Sequence, residues 1–380
     1  MRFSYFLKYV VIAIVFISRQ SSAAPERIRA ADDGQSELVA TVSLIRHGDR
    51  SPERSFPNDQ YYDEVYWPMG YKQMTKFGIN RQYKLGQWFR QRYHNFLKDI
   101  YSRNDVHVYS TDVDRTLMSA SANLAGMFPP KSFQFWNNQI PWQPIPVHTT
   151  ERSKDTIIVD KRKCKRYEKL RDKIQKKVYS SLKQQYSKTF GVIGKLTGWN
   201  EGITPKDVHT LTDVVYSYRR YNNSFVPEWY SDLDQEVLNV IGCNVEKLDT
   251  YNEDLVRFRV GPFNYYLFSN FDQFVNSSLQ AQVPSKFSMI FAHESSLTSV
   301  LNGLGAYDMR PVGFAYTVIW ELRRRQNGSY FLRLLYKKDG NKLIQLSMLD
   351  CGIDCDYKEL KKRAENITLD IETWKEECKK

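Results

Sequence analysis

Several things are scarce in this chain, and each scarcity closes off a class of protein. Only five cysteines and six histidines occur among 380 residues, and the histidines show no metal-ligand spacing. No zinc-finger spacing or other nucleic-acid-binding signature is present, which sets nucleic acid aside as a partner. A glycine-rich phosphate loop and a Gly-x-Ser-x-Gly elbow are both lacking, so nucleotide-loop chemistry and serine hydrolysis find no support. The reading therefore calls for no metal and no cofactor. There is no internal repeat and no low-complexity tract. No apolar run reaches the ~18 residues that a membrane span needs.

The one apolar run near the N-terminus, Tyr9 to about Ser18, is short and is ended by Arg19 and Gln20. Arg2 and Lys8 precede it, and Ser22, Ala23 and Ala24 supply small residues for cleavage. Residues 1–24 thus read as a signal peptide, and the mature protein as secreted and extracellular, without a membrane span. The net charge of the chain is +12, and removal of Arg2, Lys8 and Arg19 leaves +9. A basic secreted protein draws anionic partners such as phosphates, polyanionic glycans or cell surfaces. The densest basic stretch is 161–188, which also reads as a solvated helical face. Five cysteines in an oxidising compartment imply disulfides with one left over. Cys351 and Cys355 are near enough to close a local ring, but the pairing stays open at this point. Four Asn-x-Ser/Thr sequons, at Asn222, Asn276, Asn327 and Asn366, predict surface positions open to glycosylation.

The chemistry concentrates at three places. Val39 to Ile45 reads as a buried strand that stops abruptly at Arg46-His47-Gly48-Asp49-Arg50. Two guanidiniums offer donor forks that match phosphate, and the imidazole between them is a candidate nucleophile. A second strand, Val106 to Tyr109, runs into Ser110-Thr111-Asp112-Val113-Asp114-Arg115 and then a helix to about Met127. Thr111 or Asp112 is the expected N-cap, with Arg115 in the first turn, where anions bind. A third strand, Lys286 to Ala292, ends at His293-Glu294 before another helix. Further elements are a helix from about Gln73 to Phe96, a hairpin turning at Asn327-Gly328, and a last helix from Tyr357 to Glu365. Strands feeding helices predict an α/β fold: a doubly wound, mainly parallel sheet with helices on both faces. Residues 151–255 are rich in Lys, Arg and Tyr with helical periodicity, and read as a smaller, mostly helical inserted domain. The expected core domain is then 25–150 together with 256–380. Ligands of such sheets bind at the carboxyl ends of the strands, where all three clusters would meet.

Arg46-His47-Gly48-Asp49-Arg50-Ser51-Pro52 resembles the signature of the histidine acid phosphatases. Trp67-Pro68-Met69-Gly70 and the helix after it, Ser110 through Ala120, and Trp142 through His148 are similar to further blocks of that family. The likeness covers nearly all of the mature chain. It implies the histidine phosphatase fold and metal-free hydrolysis of phosphate monoesters at acid pH. His47 would form a phosphohistidine, and Arg46, Arg50, Arg115 and His293 would hold the phosphate. A carboxylic acid after the second histidine would protonate the leaving alcohol. The cysteines resemble the prostatic and lysosomal pattern, which pairs Cys164 with Cys378 and Cys351 with Cys355. A secreted, basic form without an anchor looks most like salivary or venom members from arthropods, and the likeness leaves room for a homodimer. The chain departs from the family at Glu294, where aspartate is usual, at Tyr109, where arginine is common, and at Tyr218 and Thr317, where a middle disulfide would stand. Two readings follow. One is a working acid phosphatase acting on phosphate monoesters, slowed because its acid is Glu294. The other is an inactive secreted protein that uses the same pocket to bind an anionic small molecule or a host component.

Overall fold

Side chains along strand β1 (Ser36–Arg46) enter two different cores in alternation, and this sets the architecture. Val42 and Leu44 enter one core and Ile45 the other. A strand buried on both faces needs cover on both faces. In the computed structural model, which describes residues 36–158, 164–199, 202–276, 285–340 and 342–379, that cover is helical. Helices α1 (Lys76–Arg92) and α2 (Asp114–Met127) close one face through Leu85, Phe89, Ala120 and Leu124. The other face is closed through Val260, Phe263 and Phe271, and through Leu297 and Leu301. The expected signal peptide lies outside the described residues.

The sheet runs β3-β2-β4-β1-β5-β6-β7, with β2 at Val106–Thr111, β3 at His148–Thr150 and β4 at Phe287–Ala292. Strands β5 (Thr317–Arg325), β6 (Tyr330–Lys337), β7 (Leu343–Leu346) and β8 (Asp354–Asp356) follow, β8 pairing with β6 beside β7. The β3, β2, β4 and β1 half is parallel. From β1 to β5 onward every pair is antiparallel. The sheet is therefore mixed rather than mainly parallel: β5 runs against β1, and β6 returns beside β5 through the Asn327-Gly328 hairpin. Gly328 takes φ +80° there, and its N–H donates to the Arg325 carbonyl.

Between β3 and β4 lie helices α3 (Lys165–Gln185), α4 (Ser187–Thr197), α5 (Pro205–Tyr221), α6 (Gln235–Lys247) and α7 (Glu253–Val275). Helices α4 to α6 share a core of Phe190, Ile193, Leu211, Val214, Leu238 and Ile241, capped by Phe56 and Trp67 from the segment after β1. After β4 comes α8 (Glu294–Gly303), and the chain closes with α9 (Tyr357–Arg363) and α10 (Ile371–Lys379). Disulfides join Cys164 to Cys378 and Cys351 to Cys355, and Cys243 is a buried free thiol. All four sequon asparagines are exposed. Among the described residues no helix is long and apolar enough to cross a membrane, and no cluster of three or more His, Cys, Asp or Glu could hold a metal.

Candidate active site

Parallel strands β2, β4 and β1 are direct neighbours, so their carboxyl ends lie side by side. Each end carries one cluster: Arg46-His47 after β1, Arg115 in the first turn of α2, and His293-Glu294 at the start of α8. Arg46, His47, Arg50, Arg115, His293 and Glu294 all line one cavity of about 570 Å³. The His47 and His293 rings are edge to face with centroids 5.8 Å apart.

The loop after β1 is pinned from every side. The His47 N–H donates to the Ala292 carbonyl, and the Ala315 N–H donates to the His47 carbonyl. Gln82 Nε2 donates to the Arg46 carbonyl at 2.8 Å, and the Gly48 N–H to Ser119 Oγ at 3.0 Å. Asp49 takes Arg81 Nε at 2.6 Å, an orienting contact with no place in the cavity. The key tautomer follows from one bond: His47 Nδ1 lies 2.9 Å from the Gly48 carbonyl. A carbonyl only accepts, so Nδ1 carries the proton and Nε2 keeps its lone pair. Burial, with Arg115, Arg46 and Arg50 adding to it, holds the His47 imidazole well below its ordinary pKa. The ring therefore stays neutral in mild acid.

The cations are spaced by acids and one aromatic. Arg46 packs over the Phe314 ring at 4.3 Å, donates to the Val312 carbonyl and pairs with Glu294 at 2.8 Å. Arg50 donates two bonds to Asp213 of α5, at 2.9 and 3.0 Å. Glu53 pairs with Arg115 at 2.8 Å and with Arg50 at 3.5 Å, so a carboxylate already bridges two of the guanidiniums. Arg115 also lies 3.4 Å from His293 Nδ1, while His293 Nε2 lies 3.0 Å from Thr111 Oγ1. A guanidinium only donates, so Nδ1 is the accepting nitrogen and Nε2–H donates to Thr111. Burial and then Arg115 hold His293 neutral as well. Burial lifts the Glu294 carboxyl to about 7 against the pull of Arg46, with Glu246 adding to the rise.

One expectation is corrected here. The N-cap of α2 is Val113, with no side-chain cap, rather than Thr111 or Asp112. The Thr111 hydroxyl is instead occupied by His293 and Thr116. His209 also lines the cavity and pairs with Glu246 at 3.0 Å. Burial would lower its pKa, yet that pairing lifts it to about 9. Sequence reasoning also missed Glu53, Asp213, Glu246 and Phe314. One signal was available for Asp213: it stands four residues after His209, on the same face of α5.

Residues 37–337 match the family model of the histidine phosphatase superfamily, branch 2. The chain belongs to that family. Among its relatives, the prostatic acid phosphatase of Bos taurus is 33% identical over 308 residues, covering 80% of this chain and 78% of that protein. The lysosomal acid phosphatase of Homo sapiens is 30% identical over 357 residues, covering 88% and 78%. In architecture the chain is similar to a phytase from Citrobacter braakii, with a TM-score of 0.66 at 15% identity over 90% of this chain and 99% of that one. Hafnia alvei phytase in its apo form gives 0.64 at 13% identity, covering 90% and 98%. The family supports phosphatase function, that is, hydrolysis of phosphoric monoesters.

Proposed function

We propose that the protein is a secreted acid phosphatase that hydrolyses phosphate monoesters through a phosphohistidine. The observation that carries this is the neutral His47 with its proton on Nδ1, set among three guanidiniums in one cavity. His47 Nε2 attacks phosphorus and the bond from phosphorus to the alkoxy or aryloxy oxygen breaks. Glu294 gives its proton to that oxygen, so a neutral alcohol leaves. Water then attacks the phosphohistidine, its proton passes to Glu294, and the N–P bond breaks to release phosphate. Arg46, Arg50 and Arg115 hold the phosphoryl oxygens and meet the charge that develops on them, and His293 joins them with its Nε2–H once the ring turns from Thr111. Arg115 has its pKa lowered by burial only to about 10, so it stays cationic throughout the acid range.

The same residues bear on the alternative of an inactive binder. Glutamate is a competent acid, and a carboxyl near 7 is protonated at pH 5, the form the leaving group needs. The working enzyme is therefore the favoured reading. Export is supported by the four exposed sequons, the two disulfides and relatives that include prostatic acid phosphatase. The test is hydrolysis of 4-nitrophenyl phosphate at pH 5 by wild type and by His47→Ala. Wild type turns the ester over, and the variant loses turnover by at least about 10³-fold, as removal of a covalent nucleophile does. A silent wild type would leave the binding protein as the surviving reading.

A further inference from the structure

Three guanidiniums gathered at one cavity repel one another until an anion arrives, so other groups must hold them in place. Carboxylates do part of this. Asp213 and Glu53 pair with Arg50, Glu53 with Arg115, and Glu294 with Arg46. All three carboxylates also line the cavity, where their charge opposes an incoming phosphate. Phe314 is a different kind of support. It is 1% exposed and stands off the cavity wall, so it does not touch the substrate. Its ring lies 4.3 Å from the Arg46 guanidinium and 5.8 Å from that of Arg50. Among the described residues it is the one ring that two of the three cations share.

We propose that Phe314 is a positioning residue of the phosphate cradle: its face holds the Arg46 guanidinium at a set distance from Arg50 while adding no charge that would repel phosphate. The proposal rests on the reading of these arginines as a phosphate cradle. An aromatic ring carries negative potential on its face and no net charge, so it draws a cation without opposing an anion. Arg46 depends on this most. Glu294 must carry a proton to serve as the acid, and a protonated carboxyl no longer pairs with Arg46 as an ion. In that working form Arg46 keeps the Val312 carbonyl and the Phe314 face. The ring is itself fixed. Tyr216 of α5 stacks on it with centroids 5.0 Å apart, and the Tyr216 hydroxyl accepts the Phe314 N–H at 3.2 Å. Arg220 donates to that hydroxyl at 3.1 Å and to Asp339 at 2.8 Å, which holds Tyr216 in turn. The backbone beyond Phe314 ties back to the nucleophile's loop: the Arg46 N–H donates to the Tyr316 carbonyl at 3.0 Å, and the Ala315 N–H to the His47 carbonyl at 3.1 Å.

The test separates the ring's charge distribution from its bulk. Phenylalanine analogues with one, two and three ring fluorines in place of Phe314 keep the apolar shape and progressively drain the face of negative potential. Phe314→Leu stays apolar and removes the face altogether. Two quantities are read: kcat/KM for 4-nitrophenyl phosphate at pH 5, and affinity for inorganic phosphate from melting shifts, which needs no turnover. Both should fall stepwise with the number of fluorines, reaching about 3- to 30-fold below wild type for the trifluoro ring, the range a buried cation–π contact commands. Phe314→Leu should fall at least as far. If the fluorinated proteins match wild type, the ring only fills space, whatever Phe314→Leu does, and the proposal fails while the phosphatase reading stands. If wild type binds phosphate but does not hydrolyse the ester, the phosphatase reading falls, and the affinity series alone decides for or against Phe314. If wild type does not bind phosphate, the cradle reading falls and takes this proposal with it.

Discussion

Glu294 opens α8 with its carboxylate 2.8 Å from Arg46. Its side chain lines both the phosphate-cradle cavity and a second cavity beside it, walled in part by α5 and α6. Because burial lifts the group to about 7, it is protonated at pH 5 and loses its proton as pH rises through neutrality. A general acid is active only while protonated, so kcat/KM should fall on the alkaline side with a midpoint near 7. Glu294→Gln keeps the shape and removes the proton. Its kcat/KM should drop by about 10²–10⁴-fold for alkyl phosphates and much less for 4-nitrophenyl phosphate, whose leaving group needs little protonation. The alkaline limb near 7 should vanish with it. Equal losses on both esters would remove Glu294 from the role of acid. Elsewhere in the cradle a cation sets the charge of an acid: burial alone would raise the Asp213 carboxyl, yet Arg50 holds it below its usual range.

The loop that bears His47 packs backbone against backbone on α1, beside the side-chain bonds of Gln82 and Arg81. A Cβ on Gly48 would lie 2.5 Å from the Gly78 carbonyl oxygen, and one on Gly78 would lie 2.2 Å from the Asp49 carbonyl oxygen. Neither neighbour is a flexible side-chain tip, so the loop itself must move. Gly78→Ala should lower kcat/KM by about 10- to 100-fold, since a displacement near 1 Å costs that much, and lower stability by about 1–3 kcal/mol from overpacking. Gly191 of α4 is the control, because a Cβ there meets nothing within 4 Å, and Gly191→Ala should leave both measures alone. An active, fully stable Gly78→Ala would refute this account of how the loop is positioned. This contact also marks what the sequence could and could not disclose. Strands β1, β2 and β4 were legible because buried β-branched and aromatic runs end abruptly in charge, and so were α1, α2, α8 and the Asn327-Gly328 hairpin. Helix α7 was not, because apolar residues cover it all round and Pro262 sits inside it, which blurs the 3.6-residue period. Strands β3, β7 and β8 have only three or four residues, too few to show alternation. The six site residues read from the sequence were legible because each stands at or soon after the end of a strand. Asp213 and Glu246 reach the cavity only through the packing of α5 and α6, which periodicity does not give.

At the scale of the whole molecule, gathering cations around two imidazoles sets activity against stability in acid. His47 and His293 are both held well below 6.5, their ordinary value, by burial and by the arginines around them. As pH falls through 6.5 the unfolded chain takes up protons at these positions and the folded chain does not. Stability therefore declines as acid is added, by about 1.4 kcal/mol per pH unit for each imidazole once well below 6.5. His209 works in the opposite sense. Its folded pKa is raised to about 9, so its contribution is fully present below 6.5 and is lost only as pH rises through 9. It adds no slope between pH 5 and 6. In phosphate-free buffer each imidazole should thus lower the unfolding free energy of wild type between pH 6 and 5, while Glu294, which keeps its proton in the folded chain up to about 7, works against them. His47→Ala removes one of them, and its slope should be shallower by about 1 kcal/mol per pH unit, so that the variant gains on wild type as the solution is acidified. Denaturant titrations at pH 5.0, 5.5 and 6.0 measure the two slopes directly. Parallel slopes would mean that His47 takes up its proton in the folded chain, which would remove the neutral nucleophile on which phosphoryl transfer in acid depends.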